Sequence, residues 1–240
     1  MNSITQSART WHPIEEAIIR HIDRYGLTTA QAAHAAEIKG MTTVEIAMQR
    51  LMALVKSGEL VWQPLTPHIR CFVLSSTTLE RLGRPVEPHG IQPMSAKTIA
   101  EQFAFLSFCH LREAQRMKLT HQELQSRFAD LYRPGNARHY YVTAGTDRPR
   151  LGFLRIDTAG YGRWDRIIAK ASRDLRNLLQ FQTIRQLLEQ QAFEMTIITS
   201  LPQKAHRIDE EMETRRRVFT VPVNCLAMPE MIDLIRPVPD

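Results

Sequence analysis

The chain has 240 residues, 43% hydrophobic and 23% charged, the balance of a globular protein long enough for one large or two small buried cores. No apolar run approaches the ~20 residues of a membrane-spanning helix, and the opening residues Met1 to Gln6 carry no apolar signal core, so the expected setting is the cytoplasm, away from the membrane. The formal charge of +6 suits a polyanionic partner without requiring one, and the excess is shared: 9 Lys and Arg against 7 Asp and Glu up to Pro85, 22 against 18 beyond it.

Trp11 to Tyr25 is predicted as a helix with Ile14, Ala17, Ile18, His21 and Ile22 on a buried stripe, stopped by Gly26. A short helix over Thr29 to Ala35 precedes a break at Lys39-Gly40, and a longer one runs from Thr42 to Lys56 before Ser57-Gly58-Glu59 ends it. In the longer helix Val44, Ala47, Met48, Leu51, Leu54 and Val55 repeat at the spacing of one buried face, which leaves Thr42, Ile46, Gln49, Arg50 and Ala53 outward. Leu60 to Gln63 and His68 to Leu74 suit two strands about a tip at Pro64 to Pro67, and Thr77 to Gly83 a closing helical turn.

That order predicts a winged helix-turn-helix over residues 11–83, with the longer helix entering the major groove of DNA. Thr42, Thr43, Gln49 and Arg50 are its candidate DNA contacts, because hydroxyl, amide and guanidinium groups reach base edges and phosphates; Arg70 would meet phosphate from the wing. A polar outer face is also what any solvated helix offers. Some winged helices bind protein, so an adaptor in a conjugation or defence assembly is a competing expectation.

Residues 84–94 hold Pro85, Pro88, Gly90 and Pro93 and read as a linker. Beyond it, residues 95–240 are expected to form a second domain. Ser95 to Met117 is predicted helical, with Ile99, Phe103, Leu106 and His110 on one face, and Thr120-His121-Gln122-Glu123 is a capping box opening a helix through Leu124 and Phe128. Strands follow at Arg138 to Thr143 and Arg150 to Asp157, around a turn at Gly145 to Pro149. Then come a long helix from Trp164 to about Gln191, a strand Phe193 to Thr199, a charged helix Pro202 to Arg215, a strand Val218 to Val223 and a short helix after Pro229. Strands alternating with helices predict an α/β sheet. Cys71, Cys109 and Cys225 are too scattered for a disulfide framework or a zinc cluster and are expected to be buried thiols, and nine single histidines suggest no metal site. No cofactor is expected; Gly160-Tyr161-Gly162 lacks the Gly-Lys-Ser/Thr ending of a phosphate loop.

Leu27 to Ala33, Arg50 to Leu60, and Leu151 to Gly160 leading into Arg166 to Lys170 resemble the replication-relaxation family, proteins of plasmids and other mobile elements. The resemblance implies an N-terminal winged helix and a C-terminal domain similar to restriction-endonuclease-like nucleases. The family's strand tends to read Glu-x-Asp, whereas here Arg155 stands in the place of Glu and Asp157 remains. A nuclease of that type needs two or three converging acids for Mg²⁺ and a Lys near the attacking water. The chain offers Asp157, with Ala159 where the Lys would be, Lys170 a helix away, and Asp147 in a turn. Asp157 is otherwise a strand-end carboxylate bonded to backbone N–H groups near Gly160 and Gly162, or paired with Arg155 or Arg163.

Arg163, Arg166, Lys170 and Arg173, with Arg176 close by, make a basic ridge on the long helix. It would follow a phosphate backbone, or it is a solvated face compensated by Asp165 and Asp174. Arg215-Arg216-Arg217 follows Asp209, Glu210, Glu211 and Glu213 closely enough for local charge pairing. The expectation is a non-catalytic protein that binds double-stranded DNA as a homodimer, in transcription control or as an accessory to plasmid replication or mobilisation, through Thr42, Thr43, Gln49, Arg50, Arg70, Arg166, Lys170 and Arg173. The enzymatic alternative is a metal-dependent nuclease using Asp157 and Lys170.

Overall fold

The computed structural model describes residues 10–66, 69–85, 94–112, 115–133, 139–143, 149–160, 162–214 and 221–235. The chain divides into two compact units, Met1–Gln63 with Cys71–Ile91, and Pro64–Arg70 with Gln92–Asp240.

The first unit starts with α1, Pro13–Tyr25. His12 and Glu15 form a capping box at its start, and Gly26, at φ 86°, closes its end with a bond to Ile22 O. Thr29 caps α2, Ala30–Ala35, and Thr43 caps α3, Val44–Lys56; each threonine hydroxyl accepts an N–H of the first turn. The helices therefore begin one or two residues later than the apolar pattern alone suggests. Strands β1, Leu60–Thr66, and β2, Ile69–Leu74, pair as a hairpin whose far part, Pro64–Arg70, is grouped with the second unit, and Thr28 bridges to Phe72. A short α4, Ser76–Arg81, follows. Ile18, Ile19 and Ile22 of α1 pack with Ala47, Leu51 and Leu54 of α3 and with Leu60, Phe72 and Leu74; Val44, Met48 and Val55 lie half-buried around them. Glu59 is buried at the foot of the hairpin, where its carboxylate accepts from Thr78 Oγ1 and Arg81 Nη1, both at 2.7 Å.

The second unit is a five-stranded mixed sheet of order β3-β4-β5-β6-β7 with helices on both faces. Its elements are α5 (Ala96–His110), β3 (Arg116–Lys118), α6 (His121–Arg127), β4 (Tyr140–Thr143), β5 (Arg150–Asp157), α7 (Trp164–Leu178), α8 (Gln182–Glu189), β6 (Phe193–Thr199), α9 (Pro202–Thr214), β7 (Val223–Ala227) and α10 (Ile232–Ile235). Strands β3, β4 and β5 run antiparallel in sequence; β5, β6 and β7 are parallel. Leu151, Phe153, Phe193, Met195 and Ile197 face Ile167, Ile168, Ala171 and Leu175 of α7 and Ile208 and Met212 of α9. Cys71 and Cys109 are buried and Cys225 is half-buried, all three as free thiols.

Three expectations for this unit need correction. The helix predicted to Met117 ends at His110, and Arg116–Lys118 is instead an edge strand paired with β4. The single helix predicted from Trp164 to Gln191 is two: Asp130, far away in sequence, accepts from the Thr183 N–H at 3.1 Å and the Thr183 hydroxyl at 2.6 Å, and so caps a new helix. The last strand is Val223–Ala227 rather than Val218 to Val223; residues 218–220, like the turn residues 144–148 with Asp147 and the basic run 215–217, lie outside the described residues.

Candidate nucleic-acid interface

Helix α3 presents Glu45, Gln49, Arg50 and Ala53 to solvent, with Thr42 and Thr43 exposed at its start, because its apolar stripe is committed to the core of the first unit. The candidate contacts are not equivalent. Thr43 Oγ1 accepts the Ile46 N–H at 3.2 Å and is the helix cap. Thr42 and Gln49 are exposed and bonded to no side chain among the described residues. Arg50 folds back, its Nε donating to Gly40 O at 3.2 Å across the turn that precedes α3. His34 Nδ1 donates to Met41 O at 2.9 Å and holds the same turn from α2. Glu45 stands in the first turn, its carboxyl held below the usual range by backbone N–H and Thr43 hydroxyl donors, so this face carries one fixed negative charge among its polar groups. Arg70 is exposed on β2, and the hairpin tip at residues 67–68 lies outside the described residues.

On α7 the residues Ile167, Ile168, Ala171, Leu175 and Leu178 are buried, while Arg163, Arg166, Lys170, Arg173 and Arg176 are exposed. Of the two acids expected to compensate this row, Asp165 pairs with Arg163, a member of the row itself, whereas Asp174 is drawn to a neighbouring strand. Asp165 is held by Arg163 through bonds of 3.0 and 2.7 Å. Asp174 turns to β5, where Arg155 Nε donates to its Oδ2 at 2.7 Å.

Asp157 ends β5 with its side chain 1% exposed. Its Oδ1 accepts the Ala159 N–H at 3.0 Å, as a strand-end carboxylate is expected to do, and its Oδ2 accepts from Thr199 Oγ1 at 3.3 Å. Its cationic partner is neither Arg155 nor Arg163. Lys204 Nζ, from the first turn of α9, lies 2.5 Å from Oδ2 and also donates to Gly160 O at 3.0 Å. Lys170, the alternative catalytic lysine, is exposed on α7. A divalent ion would have to displace the Lys204 ammonium from a carboxylate saturated at both oxygens, and among the described residues no three His, Cys, Asp or Glu side chains converge. The residues present do not fit a metal at Asp157.

Beside β7 a cleft of about 820 Å³ is lined in part by Arg116, Asp209 and Cys225. Burial pushes the Cys225 thiol up to about 12, with Asp209 and Asp157 adding to the shift, so it is no thiolate nucleophile at neutral pH.

No family model, no curated protein and no solved structure matches this chain. Residue chemistry and geometry therefore carry the functional argument. Two groups were missed in the sequence, Glu45 and Lys204. The second had a signal: Lys204, Ile208 and Met212 recur at i, i+4 and i+8 on the buried stripe of α9, which puts a lysine where the pattern calls for an apolar side chain.

Proposed function

We propose that the first unit is a winged helix-turn-helix and that the chain is a sequence-specific, non-catalytic DNA-binding protein. The observation that carries this reading is the outer face of α3, where Gln49 and Arg50, with Thr42 just ahead of the cap, stand exposed while the opposite face of the helix is locked to the core. Such a helix brings amide, hydroxyl and guanidinium donors to base edges without unfolding anything. The preceding turn, the Thr28 to Phe72 bridge and the hairpin support the same reading, since they are the parts of a winged helix. The setting proposed, a mobile element with a role in transcription control or as an accessory to plasmid replication or mobilisation, rests only on the motifs that resemble the replication-relaxation family, Leu27 to Ala33, Arg50 to Leu60 and Leu151 to Lys170. The mixed sheet, antiparallel then parallel, is compatible with a restriction-endonuclease-like domain, to which this reading gives no catalysis but a role in a homodimer or with a protein partner.

The test is selection of bound genomic fragments followed by anisotropy titration across salt concentrations. Tight, salt-dependent binding to a recurring sequence is the expected result. Gln49→Ala or Arg50→Ala should cost roughly 1–3 kcal/mol on that sequence if either makes a bidentate base contact. Affinity unchanged in both variants would move the contact to another face; no binding at low salt would favour a protein-binding adaptor. Purified protein with Mg²⁺ or Mn²⁺ should leave DNA intact, and cleavage that disappears in Asp157→Ala would overturn the non-catalytic reading.

A further inference from the structure

Arg166, Lys170 and Arg173 stand at i, i+4 and i+7 on α7, one exposed face spanning about 10 Å at the helical rise of ~1.5 Å per residue. Like charges at this spacing repel and weaken a helix, a cost with no return inside the fold, since none of the three side chains is bonded to an acid among the described residues. The helix carries two acids that would relieve the repulsion, and each has an arginine other than these three cations as its partner. Asp165 is bound by Arg163. Asp174 is drawn off the face by Arg155, which reaches it from the adjacent strand. Arg155 thus acts at a distance from the surface: by binding Asp174 it leaves the row of cations uncompensated.

We propose that this face of α7 is a second grip on duplex nucleic acid, one that binds the phosphate backbone without regard to sequence and acts in addition to the α3 face. It rests on the DNA-binding reading for the identity of its polyanion. Three long cations on one exposed face, none held by an acid among the described residues, suit neutralisation of successive phosphates with release of their counterions. Exposed Ala169 lies on the same side, between Arg166 and Arg173, and offers a position at which a further charge can be added without disturbing the core.

The experiment uses the full chain and two 20-base-pair duplexes, the selected site and an unrelated sequence, with anisotropy read across a salt series. In a single variant carrying Arg166→Gln, Lys170→Gln and Arg173→Gln, the slope of log affinity against log salt should fall by about 0.9 for each phosphate no longer neutralised, on both duplexes alike. The ratio of the two affinities should stay as in the wild type. Ala169→Lys should raise the slope by up to about 0.9 and guards against loss of binding through misfolding. Slopes equal to wild type in both variants would overturn the proposal while leaving the α3 reading intact. A changed affinity ratio in the triple variant would also overturn it, by showing sequence readout. Binding to phosphatidylserine vesicles that the triple variant loses while its duplex slopes stay unchanged would assign the face to a membrane surface instead. Conversely, a lowered slope in the triple variant together with an unchanged affinity ratio in Gln49→Ala would keep this face and discard the α3 reading.

Discussion

The ring of Tyr141 occupies the space in which Gly152 would carry a side chain. The two are register partners on β4 and β5, and a Cβ at Gly152 would sit 2.0 Å from the Tyr141 Cζ. Passing over β5 in this way, the tyrosine brings its hydroxyl to β6, where it donates to Glu194 Oε1 at 2.9 Å and meets Thr196 Oγ1 at 2.8 Å. Gly152→Ala is therefore expected to destabilise the chain by about 1–3 kcal/mol through overpacking. In urea unfolding, Gly152→Ala combined with Tyr141→Ala should lose less than the sum of the single changes. Strict additivity would mean that the two do not share this space.

The same phenol should make stability fall in alkali. Burial first, then the Glu194 carboxylate, pushes the Tyr141 hydroxyl well above its ordinary range, and burial with Asp130 and Asp174 does the same to Tyr140. Both folded-state values are raised, so the protons stay on the folded chain while unfolded tyrosine releases them near pH 10. The stabilisation is complete below about pH 10 and is lost as pH rises beyond it. Urea midpoints at pH 9 and pH 11 test the point: the wild type should drop more than Tyr141→Phe, and equal drops would remove Tyr141 from the explanation.

The Asp157 and Lys204 pair makes a different kind of prediction. Removing one partner from a buried ion pair leaves an uncompensated charge, so Lys204→Met is expected to cost about 3–5 kcal/mol. Adding Asp157→Asn should recover much of that loss, because the remaining amide can still accept from Ala159 N–H. A double variant no more stable than Lys204→Met would show that the pair is not the source of the loss.

Thr42 and Thr43 should separate folding from binding. Thr43→Ala removes the α3 cap and is expected to cost about 1 kcal/mol of stability, measured by thermal unfolding, with Thr43→Ser close to wild type. Thr42→Ala should leave the melting temperature unchanged and lower affinity for the selected DNA site. The reverse pattern would exchange their roles.

What the sequence made legible follows from how local each signal is. The α3 stripe, the Thr120 to Glu123 capping box and the Arg150 to Asp157 strand all lie within a few residues of their cause, and the structure has them where the pattern places them. Strand β3 was hidden because Arg116-Met117-Lys118 is only three residues long, too short for its alternation to stand out from the helix before it; pairing with β4 makes it a strand. The α7 to α8 break contains neither Gly nor Pro, and its cause, Asp130, is 53 residues from Thr183. Lys204 was hidden for the opposite reason. On a helix with so many charges it passed for one more solvated side chain, although its spacing places it on the stripe that faces the core.

Arg50 is bonded to Gly40 before any ligand arrives, and Gly40 itself, at φ +84°, holds a left-handed backbone conformation that side-chain-bearing residues rarely adopt. That bond favours one arrangement of the long side chain, so under the proposed role docking would ask less further ordering of it. Such advance ordering tends to lengthen the life of a complex more than it speeds its formation. Under the proposed DNA-binding role, a stretched turn that released Arg50 would leave a protein that finds DNA at the usual rate and lets go of it too soon.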